Sequence, residues 1–398
     1  MKGKRISLIG MGGLAIIFLA ACGQAARTST PAVISETVAA TAAPTAAPTA
    51  TIEPTSALPV ETREPPGWPL ADPGPYLAGN TTIQYIDESR GGRIVRVTIW
   101  YPALEQTDEF GRQIARDAPP DRSAAPYPLI LVEPNSGEML FQQHLATHGF
   151  AMAIVRFLTH FENWDFGVVD HPRDMVFALQ QIAQTPPQSL EGMIDTDHAG
   201  ATGYSWGGFY ALALSGVRID PVNYLAACEQ APSIEPPLED WYLRYTCGLA
   251  KNWDGFKAHV GEEITSSDDG LWQPIIDERI RAVLPMAPDG AWLYGERGLA
   301  AADRPILLIA PAEDELVPAM IETRFIFEHL NTPDLGLISF LGKTHMMVLE
   351  EEPAARMKHF AAAYFGYHLQ GREDYKELFS EEFVSQFPDL AWGFYSGD

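Results

Sequence analysis

From about residue 66 onward the chain alternates between two hydrophobic rhythms. Ile94-Val-Arg-Val-Thr-Ile-Trp100 alternates in the manner of an amphipathic strand, and Pro128-Leu-Ile-Leu-Val132 is the unbroken apolar run of a buried one. Residues 139–148 predict a helix, Phe150–Val155 a strand, and Arg173–Ile182 a helix beginning after Pro172. A short strand at Ala199–Gly203 leads into a helix at 206–216, followed by strands at 281–285 and 306–310. A helix at 318–330, a strand at 336–341 and a helix at 353–366 complete the series. Strands separated by helices call for right-handed crossovers and a mainly parallel sheet covered on both faces, an α/β fold. One stretch, 230–278, breaks the rhythm with Pro232, Pro236 and Pro237 and a concentration of aromatics that includes Trp241, Tyr242, Tyr245, Trp253, Phe256 and Trp272. It reads as an insertion forming a lid or pocket wall, with Trp241 and Trp253 as pocket candidates; the other reading is a satellite helical unit packed on the sheet.

The first 65 residues obey different rules. Lys2, Lys4 and Arg5 precede an uncharged, largely apolar run from Ile6 to Ala21, shorter than the ~20 apolar residues that a spanning helix needs. The run ends in Leu19-Ala-Ala-Cys22, which looks like a bacterial lipobox. Residues 1–21 are then a signal peptide and Cys22 the lipidated first residue of an exported lipoprotein. Its acyl chains would anchor it to the outer face of the cytoplasmic membrane or to another envelope membrane. An ordinary signal peptide with an incidental cysteine is the alternative. Residues 22–65 carry the anchor and a linker rich in Ala, Thr and Pro, in which Thr41-Ala-Ala-Pro44 recurs at Thr45-Ala-Ala-Pro48. Proline without apolar periodicity predicts a semi-extended spacer. Residues 66–398 form the remaining domain.

Charge narrows the partners. Lys plus Arg number 27 against 52 Asp plus Glu, a formal net charge of -25. Removing the signal peptide takes away three cations and no acid. Such a field repels nucleic acid and anionic headgroups, so no nucleic-acid partner is expected. Three cysteines supply neither a disulfide framework nor a four-ligand zinc site. Cys228 and Cys247 read as a pair in an exported chain, with two buried free thiols as the alternative.

The chemistry centres on Gly203-Tyr-Ser205-Trp-Gly-Gly208, a G-x-S-x-G sequence between a predicted strand and a predicted helix. In that context the serine sits on a sharp turn ahead of a helix N-terminus, whose field favours developing negative charge. Ser205 is the candidate nucleophile. A general base is required, and His345 follows a late apolar strand on a loop at the sheet edge. The orienting acid belongs after the strand Arg304–Pro311, where Glu313, Asp314 and Glu315 are consecutive; Asp314 is the choice and its neighbours remain alternatives. The order Ser–Asp–His is the one used by α/β-hydrolases. His144 and His148 lie one helical turn apart, but no adjacent carboxylate motif completes a metal site, and no metal or other cofactor is expected.

Further segments carry a family resemblance over about residues 74–368. They are Gly74-Pro-Tyr76, Trp100-Tyr-Pro102, His171-Pro-Arg-Asp174, the run from Asp195 to Gly208, the run from Asp277 to Pro288, the Asp314 turn with Val317-Pro318, and Gly342-Lys-Thr-His345. With these the chain resembles the bacterial platelet-activating-factor acetylhydrolase and predicted dienelactone hydrolase-like families of the α/β-hydrolase superfamily. The resemblance implies cofactor-free hydrolysis of carboxylic esters through an acyl-enzyme, although authentic dienelactone hydrolases use cysteine where this chain has Ser205. Where relatives carry Ser-His-Gly-x-Gly, this chain has Glu133-Pro-Asn-Ser136-Gly137. By that position the Ser136 backbone N–H joins that of Trp206 in an oxyanion hole. The expected activity is a serine esterase or lipase-like hydrolase acting on a small or lipid-like acyl ester. The alternatives are a serine peptidase and a noncatalytic surface-binding lipoprotein.

Replacing Cys22 with Ser is expected to release the chain from the membrane fraction or to block its processing. Mass analysis of the mature N-terminus checks this: an unmodified terminus elsewhere would refute lipidation.

Overall fold

The computed structural model describes residues 67–133, 138–156, 164–235 and 237–395. Cys22, the linker and Ser136 therefore lie outside the described residues. Nine strands form one sheet: β1 (Leu77–Asp87), β2 (Arg93–Ala103), β3 (Tyr127–Val132), β4 (Ala151–Arg156), β5 (Ile194–Tyr204), β6 (Ile280–Met286), β7 (Ile306–Pro311), β8 (Leu335–Phe340) and β9 (Leu390–Trp392). Their spatial order is β1-β2-β4-β3-β5-β6-β7-β8-β9. The six strands from β4 to β8 pair in parallel, while β1, β2 and β9 add antiparallel margins. The chain runs from β3 outward to β4 and returns to β5 on the other side of β3. That reversal opens a crevice at the carboxyl ends of β3 and β5, where ligands of open α/β sheets bind.

The helices are α1 (Glu138–Thr147), α2 (Gly167–Gln184), α3 (Trp206–Ala213), α4 (Pro221–Gln230), α5 (Asp240–Thr246), α6 (Trp253–Val260), α7 (Glu262–Thr265), α8 (Ala291–Leu299), α9 (Thr323–His329), α10 (Glu351–Gln370) and α11 (Glu381–Val384). They cover both faces because the buried strands present apolar side chains alternately to each side. Leu129 and Leu131 of β3 enter one core with Met175 and Leu179 of α2 and Phe209 and Leu212 of α3. Ile130 and Val132 enter the opposite core with Phe141 and Leu145 of α1 and Met357 and Phe360 of α10. Among the described residues no helix is long and apolar enough to cross a membrane.

Several boundaries differ from the sequence expectation. Helix α2 begins at Gly167, five residues before Pro172, which lies inside it. The Asp165 carboxylate accepts the Gly167 N–H at 2.7 Å, and Val168 and Val169 are buried in the first turn. That hydrogen bond and the burial offset the one that Pro172 cannot donate. Helix α9 starts at Thr323, not 318, since residues 318–322 form turns. The hydrophobic pattern does not mark strands β1 and β9. β1 is a polar margin strand (Asn80, Thr81, Thr82, Gln84) that lacks a strong apolar alternation, and β9 has three residues.

The segment 230–278 forms no distinct lid among the described residues. Tyr242, Leu249, Phe256, Val260 and Trp272 are buried in the same core as α2 and α3. Trp253 packs against Tyr224, Phe256 and Trp272 with ring centroids 5.3–5.4 Å apart, whereas Trp241 is 38% exposed. Large aromatic surfaces gain most by joining the existing core, and the segment settles as short helices on the sheet's covering layer. Cys228 at the end of α4 is bonded to Cys247 just after α5.

That disulfide closes a loop between residues 19 positions apart. The double change Cys228→Ser, Cys247→Ser is expected to cost about 3 kcal/mol through the larger entropy of the unfolded chain. Urea unfolding checks the value, and an unchanged midpoint would count against it.

Candidate active site

Ser205 occupies the turn between β5 and α3 with φ 58° and ψ -116°, a left-handed conformation uncommon for a residue with a side chain. The turn is held from both sides: the Ser205 N–H donates to the Met286 carbonyl of β6 at 2.9 Å, and the Phe209 N–H donates to the Ser205 carbonyl at 2.9 Å. Flanking glycines are a steric necessity. A Cβ on Gly203 would come within 2.5 Å of the Gly207 backbone, and one on Gly208 would run into the Met286 carbonyl oxygen. Trp206 is the first residue of α3, where helix geometry aims backbone N–H groups back toward the Ser205 turn.

His345 opens a short 3₁₀ helix, His345–Leu349, just after β8. Its Nδ1 lies 2.8 and 3.0 Å from the two oxygens of Asp314, and both residues are buried. The carboxylate is aimed by two backbone donors, Leu316 N–H at 3.0 Å and Val317 N–H at 2.7 Å, both to Oδ1. Because an ionised carboxylate only accepts, Nδ1 carries the proton in the neutral ring and Nε2 keeps the lone pair of a base. The three consecutive acids have separated roles. Asp314 meets the imidazole, Glu315 accepts the His345 backbone N–H at 2.9 Å, and the Glu313 side chain is exposed.

Tyr204, unremarked in the sequence beyond its place in the motif, joins the two halves. Its hydroxyl donates to the His345 carbonyl at 2.7 Å, and the two rings meet edge to face with centroids 5.3 Å apart. Burial pushes the phenol well above its ordinary pKa, so the donor stays protonated. The residue immediately before Ser205 is thus hydrogen-bonded to the loop that carries His345.

A second polar cluster lies behind the turn and had no sequence signal beyond single acids. Asp289, three residues beyond β6, is 2% exposed; its Oδ2 accepts the Tyr245 hydroxyl at 2.8 Å and the Trp164 indole N–H at 3.2 Å. Its Oδ1 has no hydrogen-bond partner among the described residues. Glu322, fully buried, accepts the Tyr242 hydroxyl together with the Gly290 and Ala291 N–H groups at 2.9 and 2.8 Å. Two carboxyls therefore fasten α5 to the start of α8, and the Trp206 ring packs on Tyr245 at 4.9 Å. Desolvation pushes Asp289 up to about 6 and Glu322 up to about 7, the latter also raised by the charge of Asp289.

His144, His148 and His171 have structural partners. His144 and His148 donate from Nε2 to the carbonyls of Leu70 and Asp72 at 2.9 and 3.0 Å, and burial lowers the pKa of both, that of His144 to about 3. His171 Nδ1 lies 2.8 Å from the Tyr210 hydroxyl. Among the described residues no group of three or more His, Cys, Asp or Glu is placed to hold a metal ion.

The Asp289–Glu322 pair fixes the sign of a pH effect. Both carboxyls hold protons more tightly folded than unfolded, so their contribution is fullest below about pH 4 and is lost as pH rises toward about 7. His144, His171, His359 and His368, held neutral by desolvation, contribute stability that rises with pH over the same range, so in chemical denaturation between pH 4 and 8 the carboxyl pair is read as the difference between wild type and Asp289→Asn. Wild type is expected to lose stability relative to Asp289→Asn as pH rises from 4 to 8; a difference that does not change with pH would refute the assignment.

No protein-family model matches the chain, and a search of curated proteins finds no match. The nine-stranded, largely parallel sheet flanked by helices is consistent with the broad α/β-hydrolase superfamily, and that fold is consistent with a hydrolase.

Proposed function

We propose that the chain is a serine carboxylic-ester hydrolase that works through an acyl-enzyme. The observation that carries the reading is the buried Asp314–His345 hydrogen bond, tied through the Tyr204 hydroxyl to the strained Ser205 turn. In this mechanism Ser205 Oγ attacks the ester carbonyl while Nε2 of His345 takes its proton. Asp314 keeps the proton on Nδ1 and stabilises the imidazolium as it forms. The backbone N–H of Trp206, with that of Ser136, receives the developing oxyanion, and each such donor contributes about 2.7–4 kcal/mol of transition-state stabilisation. Imidazolium then protonates the departing alkoxide, and a water deprotonated by His345 releases the acid and restores Ser205. The substrate is a small or lipid-like acyl ester, and the lipidated Cys22 keeps the enzyme at a membrane surface. Trp241 is the aromatic of the 230–278 segment best placed to touch that substrate: it is the one exposed there, and its ring lies 6.4 Å from Tyr245, which in turn contacts Trp206.

Ser205→Ala is expected to abolish labelling by a fluorophosphonate and to reduce ester turnover to background. Asp314→Asn should lower kcat by roughly 10⁴-fold, through the wrong imidazole tautomer. The double variant Ser205→Ala, His345→Ala should be no worse than either single one, because each disables the same proton-coupled attack. Turnover of an ester panel and of matched peptide amides, with circular dichroism as folding control, checks all three. Near-native turnover by Ser205→Ala would reject the mechanism, and amide hydrolysis outpacing ester hydrolysis would make the enzyme a peptidase.

A further inference from the structure

Three features that lie outside the Ser205, Asp314 and His345 set converge on α5. Ala287, just after β6, sits at φ 44°, a conformation that a side chain resists. Two residues later Asp289 is 2% exposed, and one of its carboxyl oxygens has no hydrogen-bond partner among the described residues. Its other oxygen accepts the Tyr245 hydroxyl of α5 at 2.8 Å. Two residues beyond Tyr245, Cys247 is cross-linked to Cys228 of α4. A strained turn, a desolvated carboxyl and a disulfide thus bear on one aromatic ring.

That ring stands in the middle of a row. Tyr245 meets the Trp206 ring on one side, with centroids 4.9 Å apart, and the Trp241 ring on the other at 6.4 Å. Trp241 and Tyr245 are four residues apart on α5 and share one helix face, while Tyr242 and Thr246 are buried on another. Because Trp206 directly follows Ser205, the row starts at the candidate nucleophile. Exposure rises along it: Trp206 and Tyr245 are half-buried, and Trp241 is 38% exposed. Successive planes are inclined at 47° and 64°, so the row offers both ring faces and ring edges.

The chemistry of this row selects its guest. The Tyr245 hydroxyl is taken up by Asp289, which leaves ring carbon as the contact surface. A central ring fixed in place does not reshape itself around a fluid alkyl chain as methionine does, and a preorganised surface favours a rigid guest. A planar aromatic ring stacks offset on such faces or meets such edges, and gains from the ring quadrupoles beyond the area it covers. A saturated ring of similar size gains from the area alone.

We propose that the row Trp206–Tyr245–Trp241 determines specificity at this site and selects esters that carry a planar aromatic ring on their acyl or alcohol side. This rests on the serine ester hydrolase reading.

The test uses the full chain and two matched pairs of esters. Ethyl phenylacetate and ethyl cyclohexylacetate differ on the acyl side; 2-phenylethyl acetate and 2-cyclohexylethyl acetate differ on the alcohol side. In both pairs methylene groups separate the ring from the ester, and the cyclohexyl member is the more apolar, so a merely hydrophobic wall would favour it. Wild type is expected to prefer the phenyl member of at least one pair by about threefold to tenfold in kcat/KM, the scale of one aromatic pair. The pair that shows the preference identifies the side bound. Trp241→Leu should bring that ratio to about one or below, and Trp241→Phe should retain most of it. Each ratio is taken within one protein, so a loss of folded enzyme cancels. Wild-type ratios of one or below in both pairs would overturn the proposal, as would a preference that Trp241→Leu leaves intact. If Ser205 takes a fluorophosphonate label and ethyl acetate is hydrolysed while neither pair shows a preference, the aromatic specificity fails and the hydrolase reading stands. If Ser205 does not label, the hydrolase reading fails and the specificity with it.

Discussion

The left-handed turn at Ser205 is the constraint from which the rest of the site follows. A side chain at φ 58° is tolerated only where its surroundings leave the backbone no better course. Here β5 ends against β6 through the Ser205–Met286 hydrogen bond, and α3 begins at once, with the Phe209 N–H already on the Ser205 carbonyl. Gly203 and Gly208 permit the strand, the helix and β6 to approach so closely. The result is a hydroxyl carried at the carboxyl edge of the sheet, ahead of a helix N-terminus and beside the reversal of strand order between β3 and β5.

Around that turn, polar groups are buried in pairs that hold separate segments in register. Asp314 and His345 join the ends of β7 and β8, Glu315 fixes the His345 backbone, and Tyr204 links the His345 loop to the end of β5. Behind them Asp289 and Glu322 fasten Tyr245 and Tyr242 of α5 to the start of α8. A buried carboxyl costs desolvation, and both of these are accordingly raised in pKa. In return they orient the aromatic layer against which Trp206 rests. The candidate site is therefore a set of loop ends tied by a few side-chain hydrogen bonds on a rigid sheet.

Much of this was legible in the chain because it is locally encoded. Periodicities of two and of 3.6 reveal which stretches are strands and helices, an unbroken apolar run marks a strand covered on both faces, and glycines bracket a turn that admits nothing larger. The α/β alternation, the Ser205 elbow and the order of Ser205, Asp314 and His345 all rest on such short-range features. What remained open depended on partners distant in sequence. Composition cannot say which of three adjacent acids turns inward; the backbone amides of Leu316 and Val317 decide it for Asp314. Aromatic content could not tell a lid from a core in 230–278, because that depends on whether the sheet's covering layer has room for those rings, and it takes in Tyr242, Phe256 and Trp272. The burial of Asp289 and Glu322 and the polar margin strand β1 likewise have no local signature. Tertiary structure decides such positions, since desolvation and long-range pairing exist only once distant segments have met.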